Sequence, residues 1–266
     1  VATRRLKDND QSTGRTNMAT SFGALCGDFF INQKLALKMD LPSDRETVLH
    51  MFDLVRKAIP RLERFHRYEN EFILESSRRE PAYQWLGLRQ HSIRTGHVNP
   101  DSMEDAYALH RLILETAPYH LTISPLDIDY VELQFGFDLE CHGNHDEVVA
   151  AALFGQSPMG ELVSRAQGKL IDVQPVFGQS LTDKGDLQAF IDVKTRQRGR
   201  RGSSKRFKHE PINVALSLRQ FGPVHDVAEL TPILENMAKK AESLATDQVV
   251  PFVLTPIIQQ ISPRSA

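Results

Sequence analysis

Between Lys194 and Lys208 the chain reads KTRQRGRRGSSKRFK, with Lys194, Arg196, Arg198, Arg200, Arg201, Lys205, Arg206 and Lys208 and not one acid. Gly199, Gly202, Ser203 and Ser204 give this run freedom to move, and Phe207 supplies a ring. Cations on a pliable backbone can follow a phosphate chain by charge, and an aromatic ring can stack a base, so the residue types suit a polyanion. The tentative contacts are Arg198, Arg200, Arg201, Lys205, Arg206, Phe207 and Lys208. The same run also fits an acidic partner protein or a solvated extension between two strands. Its positive block stands out because the chain as a whole carries a net charge of only -2.

A second cluster of chemically able residues runs from Cys141 through His142, Gly143, Asn144, His145, Asp146 and Glu147. Gly143-Asn144-His145-Asp146 resembles the G-N-H-[DE] block of the calcineurin-like metallophosphoesterases. That resemblance implies Asn144 and His145 as ligands of a two-metal centre that activates water. It stops at this block, because the sequence has no upstream D-x-H, no G-D-x-x-D and no closing G-H-x-H. The plainer reading is local: Asn144 caps a helix whose first turn holds Asp146 and Glu147, where negative charge suits the dipole. His142 and His145, three apart, fall short of the ligand count that zinc needs. A metal-dependent hydrolase using His142, His145 and Asp146 is therefore the least favoured function, and no catalytic residue, metal site or cofactor is assigned.

Other sites are fainter. Trp85 and Tyr83 with Arg89 and Arg94 could line a place for an anionic ligand, although a half-buried strand aromatic is commoner. Asp127 and Asp129 read as the entry to a strand. No G-x-S-x-G elbow, G-x-x-x-x-G-K-[ST] loop or G-x-G-x-x-G turn occurs.

The elements that must hold these residues are organised around Tyr130 to Cys141, YVELQFGFDLEC. Val131, Leu133, Phe135, Phe137, Leu139 and Cys141 alternate with Tyr130, Glu132, Gln134, Gly136, Asp138 and Glu140, which predicts a long strand with one dry and one wet face. Such alternation belongs to an antiparallel sheet. Further strands are expected at Phe29 to Met39, His66 to Ser76, Gln84 to Thr95, Lys169 to Leu181, Leu187 to Arg198 and Ile212 to Phe221. Helices are expected after a capping box at Ser43-Asp44-Arg45-Glu46, after Asp101-Ser102, from Asn144 to Phe154, after Ser157-Pro158, and from Asp226 onward. The apolar tail Val249 to Ile261, broken by Pro251 and Pro256, is expected to return onto the body. Lys194, Arg196 and Arg219 are expected to pair with Glu132, Asp138 and Glu140 across strands.

The fold class that follows is α+β: a large twisted antiparallel sheet with helices packed on one face. Element order repeats at an offset of about a hundred residues, which suggests two βαββα units in tandem, similar to ferredoxin-like or TBP-like units. The expected organisation is a flexible tail over residues 1–21, a first unit over 22–125 and a second over 126–266, sharing one sheet and core. With 41% hydrophobic and 25% charged residues, the composition is that of a soluble globular protein. Two cysteines, a polar N-terminal stretch and no window of 18 apolar residues point to the cytoplasm, with no membrane partner. The function expected is a non-enzymatic binding or interaction module that self-associates as a homodimer, with nucleic-acid or other polyanion binding through residues 198–208 as the alternative.

Overall fold

The alternation that starts at Val131 is realised as a strand, β6 (Ile128–Leu139). A computed structural model of the chain describes residues 21–77, 80–195 and 210–261. β6 pairs antiparallel with β1 (Asp28–Leu37), and the two form the middle of a sheet whose described strands number nine. On the β1 side follow β5 (Ser92–Val98), β4 (Tyr83–Arg89), β3 (Glu71–Glu75) and β2 (Arg64–Tyr68). On the β6 side follow β9 (Ile212–Phe221), β8 (Leu187–Lys194) and β7 (Val176–Ser180). Every pairing is antiparallel.

One face is dry because its residues are. Phe29, Ile31 and Leu35 of β1 and Leu133, Phe135 and Phe137 of β6 are fully buried. Phe22, Phe29, Phe135 and Phe137 form an aromatic knot with ring centroids 5.2 to 6.1 Å apart, the spacing at which tilted and edge-on pairs attract. Helices α1 (Arg45–Ala58), α2 (Met103–His120) and α5 (Leu230–Leu244) cover this face, with α2 on β1 and β5 and α5 on β6 and β9. α3 (His145–Phe154) and α4 (Pro158–Arg165) lie between β6 and β7 in the chain. Among the described residues no helix is long and apolar enough to cross a membrane.

Several local expectations change. Asp44, not Ser43, caps α1: its carboxylate accepts from the Thr47 backbone N–H at 2.8 Å, which holds its pKa below the usual value. The segments expected as single strands at His66 to Ser76 and Gln84 to Thr95 are each cut by a tight turn, at Glu69-Asn70 and Gln90-His91. None of these four residues has a positive φ, so neither turn uses the Asn-Gly type of pair that marks a hairpin in a sequence. Met39 is 63% exposed, because a register shift at Ala36 and Leu37 ends the alternation of β1. The strand expected from Lys169 is confined to β7. The tail is helical: α5 continues into a π-helical stretch (Ala245–Leu254) and then α6 (Thr255–Ile261). Its wider turns carry Pro251, which lacks the N–H that a helix uses, and they bury Ala245, Val249 and Leu254, while α6 buries Ile257.

Inside the dry layer sits a polar inclusion. Thr95 Oγ1 donates to Gln33 Oε1 at 2.9 Å and lies 2.6 Å from Nδ1 of His110. The single hydroxyl proton is used on Gln33, so His110 carries its own proton on Nδ1 and donates it to Thr95. Gln84 Nε2 donates to His97 Nδ1 at 3.1 Å, leaving His97 Nε2 toward Asp105, 3.6 Å away. Both imidazoles are wholly buried. Burial lowers the pKa of His97, and burial together with the nearby His97 lowers that of His110 to about 3.

Folded, both histidines are neutral; unfolded, they take up protons below about pH 6.5. Stability is therefore full above that value and declines as pH falls, for His110 down to about 3. Urea denaturation at successive pH values is expected to show a loss approaching about 1.4 kcal/mol per pH unit from His110 between about pH 6 and about pH 4, with His97 adding in the same direction. His110→Phe is expected to remove one histidine's share of that slope. In the aromatic knot, Phe135→Ala is expected to cost about 3–5 kcal/mol in the same assay.

Candidate binding face of the sheet

Among the described residues the other face of the sheet carries no helix, and register decides which side chains meet on it. One row crosses the sheet as Trp85, Gly96, Asn32, Gln134, Ser217 and Phe190. Asn32 Nδ2 donates to Gln134 Oε1 at 3.2 Å, and Gln134 Nε2 donates to Ser217 Oγ at 3.1 Å. These amides and the hydroxyl form a ladder over three strands.

At each end of that ladder an aromatic ring lies on a glycine. A Cβ at Gly96 would fall 2.2 Å from Trp85 Nε1, and one at Gly87 would fall 3.5 Å from Trp85 Cζ3, so the indole spans both glycines with one face against backbone. Phe190 covers Gly178 in the same way, with a Cβ there 2.9 Å from the ring, and Phe30 covers Gly136 at 2.0 Å. In all three cases ring and glycine are direct cross-strand partners. A glycine within a strand weakens it unless something occupies the missing side chain's place, and here a ring does.

The next row holds the charges: Arg94, Lys34, Glu132 and Arg219. Arg219 Nε donates to Glu132 at 2.5 Å, while its guanidinium lies 5.2 Å from the Phe190 ring. Lys34 Nζ donates to the Tyr130 hydroxyl at 2.5 Å. Arg89 makes two bonds to Glu71, at 2.8 and 3.0 Å. Glu75 accepts from the Tyr83 hydroxyl and lies 3.2 Å from His66 Nε2. Among the described residues Arg94 has no acidic partner. Of the expected cross-strand pairs, Arg219 with Glu132 forms; Lys194 instead pairs with Asp192 of its own strand at 2.7 Å, and Asp138 accepts from Asn213 at 2.7 Å.

The far edge of the face is acidic. Gly27, Asp28, Asp138, Glu140, Cys141, His142, Glu210 and Pro211 line a cleft of about 400 Å³. Burial raises the Asp138 carboxyl above its usual range, with Asp28 adding to the effect against the Asn213 hydrogen bond. Burial and the same two carboxylates push the Cys26 thiol up to about 12, so it stays protonated and is a poor nucleophile.

The Gly143 to Glu147 block acts as a fastener. Asn144 caps α3 by accepting from the Asp146 N–H at 3.1 Å, and its amide donates to Leu170 O and Glu147. Asp146 is buried and accepts from Val173 N at 2.9 Å and Thr195 Oγ1 at 2.7 Å. His145 lies against the carbonyls of Cys141 and Thr195, and His142 is exposed. His142, His145 and Asp146 thus point to different partners, and among the described residues no three His, Cys, Asp or Glu side chains are grouped to hold a metal. Arg198, Arg200, Arg201, Lys205, Arg206, Phe207 and Lys208 lie outside the described residues; their run joins β8 to β9.

Of the groups singled out in the sequence, Trp85 and Arg94 belong to the open face, whereas Arg89 is occupied by Glu71. Phe30, Asn32, Gln134 and Phe190 were not singled out, and their roles follow only from cross-strand register. A comparison with protein-family models finds no match, and neither does a comparison with the curated proteins.

Two substitutions test this geometry. Gly96→Ala is expected to lift the indole of Trp85, the single tryptophan, giving red-shifted emission and easier acrylamide quenching with an unchanged far-ultraviolet spectrum. Asp146→Ala leaves Thr195 and the Val173 N–H without their acceptor and is expected to cost about 1–3 kcal/mol in urea denaturation.

Proposed function

We propose that this chain is a non-enzymatic binding module whose working surface is the helix-free face of the sheet. The observation that supports this most is the set of rings laid on glycines. Each ring is seated on backbone and remains half-buried rather than covered, a contact area already ordered before any partner arrives, so little further entropy is lost on binding. The chemistry of the reactive side chains points the same way. The Cys26 thiol is held protonated, His97 and His110 are sealed in the core, and His145 is tied to backbone carbonyls. Cys26 and Cys141 are not joined in a disulfide, which supports a reducing compartment such as the cytoplasm.

Self-association belongs to the same reading and is supported by the two sheet edges. β2 is guarded by Arg64 and Arg67, charges of the kind that keep edges apart. β7, Val176-Phe-Gly-Gln-Ser180, has none, and its Val176 and Phe177 are 68% and 57% exposed. A strand laid antiparallel to a copy of itself satisfies two-fold symmetry.

Compounds that raise the melting temperature in a thermal-shift screen are expected to change Trp85 emission and to lose their effect in Gly136→Val, where the added side chain drives Phe30 off the face. Ligands that stabilise the protein while leaving both readouts untouched would put the site elsewhere. In sedimentation velocity the native chain is expected to run as a dimer and Phe177→Lys as a monomer; a native monomer would remove the β7 interface.

A further inference from the structure

Resting on the open face as the working surface, we infer that its β4, β5 and β1 part binds single-stranded nucleic acid, with a base stacked on Trp85 and the adjoining phosphate held between Arg94 and Lys34. Arg94 and Lys34 are direct cross-strand partners, and like charges in that position repel. The acids that could neutralise them are engaged elsewhere: Glu71 by Arg89, Glu75 by Tyr83 and His66, and Glu132 by Arg219. Lys34 reaches only a phenol hydroxyl, and Arg94 reaches no acid among the described residues. Among the described residues no carboxylate lies within ion-pair distance of either cation, although Glu132 is the cross-strand neighbour of Lys34, and a phosphate oxygen between the two would complete them.

Trp85 supplies the other half of the ligand's chemistry. Arg94 and Gly96, which lies beneath the indole, are two residues apart on one face of β5, about 7 Å along the strand. A ring on the indole would thus leave its attached phosphate beside the cations. An extended polymer fits better than a lone nucleotide because the platform repeats. Phe30 lies two strands from Trp85, about 10 Å, and Phe190 five strands away, about 24 Å. Between them the half-buried Asn32 and Gln134 present amide groups to base edges. The acidic edge at Asp28, Asp138, Glu140 and Glu210 repels phosphate and keeps it on the Arg94 and Lys34 part of the face. A duplex keeps its base faces stacked internally and cannot use Trp85, and an acidic protein brings the charge without the ring.

The test uses the full chain and labelled oligothymidylate. Trp85 emission is expected to be quenched on binding, and fluorescence anisotropy is expected to show Trp85→Ala weakening affinity by roughly 5- to 150-fold, the range for one stacked base. Arg94→Ala is expected to lower the slope of log affinity against log salt by about 0.7, one phosphate contact on a single strand. If Trp85→Ala does not fold, Trp85→Phe, which keeps a stacking ring, is expected to bind with the loss confined to a few-fold, and Arg94→Ala carries the decision. Duplex of equal length and polyglutamate are expected neither to quench Trp85 nor to compete. The inference is overturned if oligothymidylate leaves Trp85 emission unmoved, if duplex or polyglutamate acts equally well, or if both variants bind normally while replacing Arg198, Arg200, Arg201, Lys205 and Arg206 with Ala abolishes binding. Should oligothymidylate fail while a thermal-shift ligand still moves Trp85 emission, the open face stands as the working surface and only the ligand class falls.

Discussion

From Asp28 opposite Asp138 to Ala36 opposite Tyr130, β1 and β6 hold one register, and both faces of the sheet follow from it. A slip of one residue would turn Phe29, Ile31, Phe135 and Phe137 to water and carry Lys34, Glu132 and Asp138 under the helices. Each of those apolar side chains contributes roughly 1.5–3 kcal/mol when buried, so the dry side enforces the register. The wet side then inherits its contacts: Asn32 meets Gln134, Phe30 meets Gly136, and Lys34 stands beside Glu132. Core packing thus places the residues of the open face, although none of them belongs to the core. Read outward from this seam, the sheet runs β1, β5, β4, β3, β2 on one side and β6, β9, β8, β7 on the other, so each side sets the first of its strands in chain order at the centre and the last of them next to it.

Much of this architecture was legible because burial writes itself into a sequence with period two. Val131 to Leu139 and Ile212 to Leu218 alternate cleanly, and the strands stand where the alternation does. The turns at Glu69-Asn70 and Gln90-His91 were not legible, since they carry no glycine or proline and their flanks continue the strand pattern. The π-helical stretch was hidden by Pro251, which a reader of propensities takes as a break.

The open face was legible only in fragments. Trp85 and Arg94 are recognisable as residue types, but which arginine is free depends on where Glu71 falls, and that is a matter of pairing between β3 and β4. The ladder of Asn32, Gln134 and Ser217 joins residues 102 and 83 positions apart in the chain, beyond any local pattern. Charge is equally deceptive in sum. A net -2 conceals an acidic margin at Asp28, Asp138, Glu140 and Glu210 and a cationic row at Arg94 and Lys34 on the same surface.

The pairing of rings with glycines constrains how this sequence can drift. Gly96 cannot gain a side chain while Trp85 occupies its space, and Trp85 cannot shrink without leaving bare backbone on a central part of the sheet. The same holds for Phe30 with Gly136 and for Phe190 with Gly178. Each couple is therefore a single heritable unit: divergent descendants should keep both members or exchange both, and a lineage with only one of them altered would pass through a misfitted intermediate that selection removes.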